Sequence, residues 1–379
     1  MSDWKRRLSQ WTSQLNATFG AWKSELNKLL HIREPLKIVP YRSYGTPKRV
    51  WLMGRVLQNK GIRSRPKDAS LWKNLLNMYR RFESDEVPNA RVAVTFAEQR
   101  VEVVTNREGY FQAEIKLPEA LDGDRLWYSA CLELLQPQPP QQPPVINRGS
   151  VLVPTAATQF GVISDIDDTI VHTAATDFFR MVRIAYLGNA RTRLPFKGVA
   201  TFYQALQQGH QELAVNPIFY VSSSAWNMYD LFTEFLELQE IPAGPLLLKD
   251  TELSIENLLS FDHMAHKREK IEPILRCYPD LPFILIGDSG QKDAEIYTQI
   301  AQDFAGQILA IYIRDVSQQN AKRQRQLQAI AQAVRRIGTQ FLVVADTEMA
   351  AMHAAEQGWI RAETLETIAQ VSKQERQVA

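Results

Sequence analysis

The sequence predicts an α/β protein. A parallel sheet covered by helices on both faces is expected to follow a small β-sandwich-like domain and an N-terminal amphipathic helix. Three observations carry that expectation. Apolar strand-like runs alternate with helical spacing across residues 156–379. Short stretches of period-two alternation occupy residues 48–155. The first 30 residues return an apolar side chain every three or four positions. A length of 379 residues exceeds the roughly 250–300 at which one hydrophobic core stops growing, so separate units are expected at 1–47, 48–155 and 156–379.

At the front, Trp4, Leu8, Trp11, Leu15, Phe19, Trp22, Leu26 and Leu29 form one helical stripe, with Lys5, Arg6, Arg7, Lys23 and Lys28 off it. Trp beside Lys and Arg suits a helix lying among lipid headgroups; the same stripe would also pack on its own protein or on a second copy of the chain. Residues 1–84 hold 18 Lys and Arg against 5 Asp and Glu, and the remainder hold 26 against 37. A basic front suits a polyanion. On charge alone nucleic acid and an anionic membrane surface are both open, though the front holds no recognised nucleic-acid module.

The composition, 45% apolar and 23% charged, excludes a mostly disordered, collagen-like or disulfide-stapled chain. Cys131 and Cys277 carry no metal-ligand spacing, so a reduced, cytoplasmic setting is the default. No apolar run reaches the ~18 residues of a spanning helix, and none follows the basic Lys5–Arg7 as a secretory signal requires.

In the β-rich middle, Val92, Val94 and Phe96 alternate, as do Phe111, Ala113 and Ile115, and Tyr128, Ala130, Leu132 and Leu134. Asn106–Gly109 reads as a turn, and Ser70–Phe82 as a helical insertion. Gln136–Pro144, all Pro or Gln, reads as an extended loop before a last strand at Val151–Val153. Beyond it, strands are expected at Phe160–Ile163, Ile218–Val221, Pro245–Leu248, Phe283–Ile286, Ile308–Ile313 and Phe341–Val344, with helices at Trp226–Leu238, His266–Cys277 and Asp293–Phe304.

Chemistry in such sheets collects at the carboxyl ends of the strands. Asp165-Ile166-Asp167-Asp168-Thr169 follows the first, and carboxylates this close repel unless a cation offsets them. A calcium loop fails on spacing, because Ile170 and Thr176 stand where Gly and a bidentate Glu are needed. Ser222-Ser223-Ser224 follows the second strand, Lys267 opens a later helix, and Gly287-Asp288 with Asp293 follows the fourth. A serine hydrolase built on Gly287-Asp-Ser-Gly290 fails, since the required Gly is Gln291.

This ordered set resembles the haloacid dehalogenase superfamily of phosphotransferases. Residues from about 160 to 316 resemble the catalytic domain of the actin-patch-associated phosphatidate phosphatase family. The resembling stretches are 163–170, 220–227, 244–250, His266-Lys267 and 286–291 with Asp293. The resemblance implies a Rossmann-like sheet of the haloacid dehalogenase type with a short cap within Ile170–Pro217, where Phe178, Phe179, Met181, Tyr186, Leu187 and Phe196 would form an apolar flap. It implies Asp165 as nucleophile, Asp167 as general acid and base, and Ser222 and Lys267 as charge stabilisers. It also implies Mg²⁺ held by Asp165, Asp167, Asp288 and Asp293. The expected activity is hydrolysis of phosphatidate to diacylglycerol at a membrane surface, with the protein peripheral at its inner face. A soluble monoester or phosphoprotein substrate, and a non-catalytic lipid-binding scaffold, are the alternatives. Self-association through the N-terminal helix is a further expectation.

Overall fold

The computed structural model describes residues 35–58, 86–138, 143–166, 198–211, 214–249, 263–316 and 320–378. The N-terminal helix, the insertion at 70–82, Asp167 and the apolar flap lie outside them.

The first unit is an eight-stranded, mainly antiparallel sheet. Its strands are β1 (Leu36–Pro40), β2 (Ser43–Thr46), β3 (Arg49–Gln58), β4 (Arg91–Phe96), β5 (Gln99–Val104), β6 (Tyr110–Lys116), β7 (Trp127–Gln136) and β8 (Ile146–Leu152). They run in the order β1-β3-β2-β8-β7-β4-β5, with β6 on β3. The sheet therefore takes in Leu36–Thr46, ahead of residue 48. Leu36 and Ile38 are drawn in because both are buried in the core made by Val50, Leu52, Val94, Phe111 and Leu132. The alternation in β6 follows its burial, Phe111, Ala113 and Ile115 inward and Gln112, Glu114 and Lys116 exposed. The Pro/Gln stretch joins β7 to β8, which pair antiparallel from Trp127↔Leu152 to Glu133↔Ile146. It is thus a connection within one sheet.

The second unit is a six-stranded parallel sheet of β9 (Gly161–Asp165), β10 (Ile218–Ala225), β11 (Leu246–Lys249), β12 (Phe283–Asp288), β13 (Ile308–Arg314) and β14 (Gln340–Val344). The order is β11-β10-β9-β12-β13-β14. Every residue of β9 and β12 is buried, which is what continuous apolar runs produce when helices cover both faces. One face carries α1 (Val199–Gln208), α2 (Tyr229–Leu238), α6 (Thr347–Glu356) and α7 (Thr364–Val378). The other carries α3 (His263–Cys277), α4 (Asp293–Asp303) and α5 (Ala321–Arg335). The chain leaves β9 for β10 on one side and reaches β12 on the other. The crevice at the carboxyl ends of β9 and β12 is thus the switch point of the sheet.

One part of the expected cap is core instead. Phe202, Tyr203 and Leu206 on α1 are buried against the sheet, so the stretch before β10 is a covering helix from Val199 onward. Among the described residues no helix is long and apolar enough to cross a membrane.

The two units share a dry seam beside β10. Tyr41 stacks on Trp226 at 4.6 Å between ring centroids and meets Tyr229 at 4.4 Å. The Arg42 amide donates to Tyr229 Oη at 2.7 Å, and Tyr278 Oη donates to the Gly45 carbonyl at 3.0 Å. Tyr44 packs edge-on against Phe219. A buried aromatic removed from such a seam costs roughly 3 kcal/mol. Tyr41→Ala is therefore expected to lower stability in chemical denaturation by that amount. Both units should still unfold in one transition; two separated transitions in the wild type would contradict a shared seam.

Candidate active site

Two of the predicted acids sit where a parallel strand ends. Asp165 is the last residue of β9 and Asp288 the last of β12. Asp293 opens α4, five residues later in the chain, and turns back toward the sheet. A carboxylate oxygen from each lies within 4.8 Å of the others, and all three side chains are fully buried.

Lys267, on the first turns of α3, reaches into this cluster. Its Nζ lies 2.9 Å from Asp165 Oδ1 and 2.5 Å from Asp293 Oδ1. It also donates to Gln291 Oε1 at 3.3 Å. Only 1% of Lys267 is exposed, so water does little to balance its charge and these carboxylates do most of it among the described residues. Burial by itself would lower its pKa, but the charges of Asp165 and Asp293 outweigh burial and hold it above the ordinary lysine value. Lys267 is thus a fixed cation, unsuited to acting as a base.

The loop between β12 and α4 shapes the rest. The amides of Gly290 and Gln291 donate to Asp288 Oδ1 at 2.6 and 2.9 Å, and the Asp288 amide donates to Asp293 Oδ2 at 3.2 Å. Gly287, a paired residue within β12, is needed for space. A Cβ there would lie 2.5 Å from Asp293 Oδ2 and 2.8 Å from the Tyr297 ring. Asp293 approaches the strand end only because that atom is missing.

Ser222 is buried on β10. The ladder between β9 and β10 ends at Asp165↔Val221, so Ser222 is the first residue beyond it, next to the carboxylate. Its Oγ accepts from the Ser224 amide at 3.0 Å. The strand runs on through the serines to Ala225, further than its apolar pattern indicates. The structure therefore brings together Asp165, Asp288, Asp293 and Lys267, and sets Ser222 beside them; Asp167 lies outside the described residues. Sequence reasoning missed Gln291 as a lysine partner and Arg323, which binds carbonyls of the β12–α4 loop from α5. Neither has a local pattern that marks it.

Among the described residues, three carboxylates against one ammonium leave surplus negative charge in a buried pocket. Burial, and then the charge of Asp293, push the Asp288 carboxyl up to about 7. Asp288 Oδ2 has no hydrogen-bond partner among the described residues. A buried carboxylate oxygen in that condition takes a proton or a cation. An all-oxygen set suits a hard divalent ion such as Mg²⁺, so the residues present fit one.

A pH-dependent stability follows for the protein stripped of metal. Asp288 has its pKa raised on folding, so its ionisation opposes folding. That penalty is absent below the unfolded carboxyl value near 4, grows between about 4 and 7, and is complete above 7. Asp288→Asn in chelator is expected to raise stability at pH 8 by on the order of 3 kcal/mol. The gain should shrink toward pH 5. Denaturant titrations at both pH values measure it, and a destabilised Asn variant at pH 8 would contradict the charge surplus.

Residues 160–315 match the profile of the family described as phosphatidate phosphatase APP1, catalytic domain. Phosphatidate phosphatase APP1 of Saccharomyces cerevisiae is 37% identical over 155 residues, 41% of this chain and 25% of that protein. An uncharacterised protein of Schizosaccharomyces pombe is 27% identical over 216 residues, 56% of this chain and 34% of that one. The chain thus spans a quarter to a third of the length of these relatives. Among solved structures, a carbohydrate acetylesterase from Xanthomonas citri aligns over 73% of this chain and 68% of its own, at 12% identity and a TM-score of 0.26, too remote to bear on the fold.

Proposed function

We propose, from the membership of residues 160–315 in the phosphatidate phosphatase APP1 catalytic-domain family, that this chain is a Mg²⁺-dependent phosphatidate phosphatase of the haloacid dehalogenase type. The observation that carries the proposal is the buried lysine shared by Asp165 and Asp293, with Asp288 beside it carrying an unmatched oxygen.

In this reading the Asp165 carboxylate attacks phosphorus. A bond forms from its oxygen to the phosphoryl group, and the bond to the diacylglycerol oxygen breaks. Asp167 gives the leaving oxygen its proton. It then takes one from water, which cleaves the aspartyl-phosphate and releases phosphate. One carboxylate must stay ionised while its neighbour is protonated, and Lys267 at 2.9 Å from Asp165 favours that division. Lys267 and Ser222 stabilise charge on the transferring group. Asp165, Asp167, Asp288 and Asp293 would hold Mg²⁺, which supplies charge neutralisation for a dianionic substrate meeting a carboxylate. The gain needed is large, because phosphate monoesters are among the slowest compounds to hydrolyse unaided.

A lipid substrate is supported by the name of the Saccharomyces cerevisiae relative and by the basic, Trp-rich front of the sequence. Each Lys or Arg near an anionic surface adds about 1 kcal/mol of attraction. The protein would then work peripherally at a membrane from the cytoplasm, with phosphatidate as its ligand.

Asp165→Asn is expected to keep the fold by circular dichroism. It should cut phosphate release from phosphatidate vesicles by about 10³-fold or more, and chelation of Mg²⁺ should do the same to the wild type. Unchanged release in the variant would refute Asp165 as nucleophile. Faster hydrolysis of small soluble monoesters than of phosphatidate in mixed micelles would overturn the lipid assignment while leaving the phosphatase chemistry.

A further inference from the structure

We infer that Arg323, which lies beyond the family-matched segment, is a positioning residue that holds the Asp288–Asp293 loop in its metal-binding shape. The inference rests on the phosphatase reading above for what the loop binds.

The arginine arrives by a built route. Asn320 caps α5 by accepting from the Arg323 amide at 3.1 Å, which fixes Arg323 in the first turn. Leu327 and Val334, both fully buried, anchor the same helix on the sheet. From there the guanidinium covers the loop. Its Nε donates to the Ser289 carbonyl at 2.9 Å and its Nη2 to the Gln291 carbonyl at 2.8 Å. Nη2 also meets Glu295 Oε2 at 3.1 Å, and Nη1 pairs with Glu295 Oε1. One planar group therefore ties two loop carbonyls to the first turn of α4.

Those carbonyls flank the atoms that matter. The amides of Gly290 and Gln291, set between and beside them, hold Asp288 Oδ1, and this leaves Oδ2 for the site. The Gln291 side chain accepts from Lys267. Ser289 is held on its far side as well, its amide on the Arg314 carbonyl at 2.8 Å and its Oγ receiving the Val316 amide at 3.0 Å. Turning the loop by releasing Arg323 would move Asp288 and Gln291 together.

A purely stabilising role is a poor explanation. The Arg323 side chain is 13% exposed, and an ion pair so placed rarely stabilises more than an apolar replacement would. What the guanidinium offers is a rigid fork of five donors, which a lysine lacks.

Outer partners of metal ligands typically change metal affinity 10- to 100-fold when removed. The test measures Mn²⁺ binding by electron paramagnetic resonance in the full chain, with the Mg²⁺ dependence of phosphate release alongside. Arg323→Ala and Arg323→Lys should each weaken Mn²⁺ binding by about 10-fold or more, and excess Mg²⁺ should restore most of kcat. Arg268→Ala is the control. That arginine bridges Glu272, Asp303 and Gln299 away from the loop, so it should lower the melting temperature without changing Mn²⁺ affinity. Wild-type affinity in both Arg323 variants, or an equal loss in Arg268→Ala, overturns the inference. If Arg323→Ala does not fold, Arg323→Lys decides by the same readout. Absence of Mn²⁺ binding in the wild type refutes the metal site itself and the inference with it.

Discussion

The site depends on one ammonium group placed where water cannot reach. Lys267 Nζ is shared between a carboxylate from the end of β9 and another from the start of α4, and it is the fixed positive charge that lets those acids stand side by side. Isolated burial of any of these groups is prohibitively costly. Their mutual placement reduces the cost but does not cancel it, and the shortfall falls on Asp288. A pocket left short of positive charge binds cations and destabilises the protein that carries it, as expected where selection acts on chemistry.

The fold supplies the convergence that this balance needs. Parallel strands end on one edge, so residues distant in the chain arrive together: Asp165 and Asp288 are the last residues of β9 and β12, and Ser222 sits where β10 runs past its pairing with β9. The order of strands adds the crevice, because β9 has its successors on opposite sides. Gly287 adds the last increment, giving up a side chain so that Asp293 can close on the strand.

Much of this was legible in the sequence, for physical reasons that differ by element. The stretches Ile218–Val221, Phe283–Ile286 and Ile308–Ile313 are continuous apolar runs and almost wholly buried, which is how a strand covered on both faces reads. The acids were legible because several carboxylates close together need a cation wherever they occur. What was hidden depends on contacts between segments. Leu36 and Ile38 look like a linker until β3 pairs with them, and Val199–Gln208 looks like part of a cap until Phe202 and Leu206 are seen beneath the sheet. The same holds for Gln291 and Arg323, whose roles are set by partners 24 to 34 residues away and not by any neighbour in sequence.

The matched segment alone is therefore an incomplete description of the working unit. It ends at residue 315, yet the helix that supplies Arg323 and the strand β14 that pairs with β13 both come later. On the other side of the sheet, the short helical turn that carries Trp226, just after the serine run of β10, leans on Tyr41 of the antiparallel unit. A strand end can place an acid to within an ångström or so, but it does not choose the acid's rotamer or the tilt of the loop beside it. Those last degrees of freedom are fixed here by groups brought from outside the strand-and-acid motif.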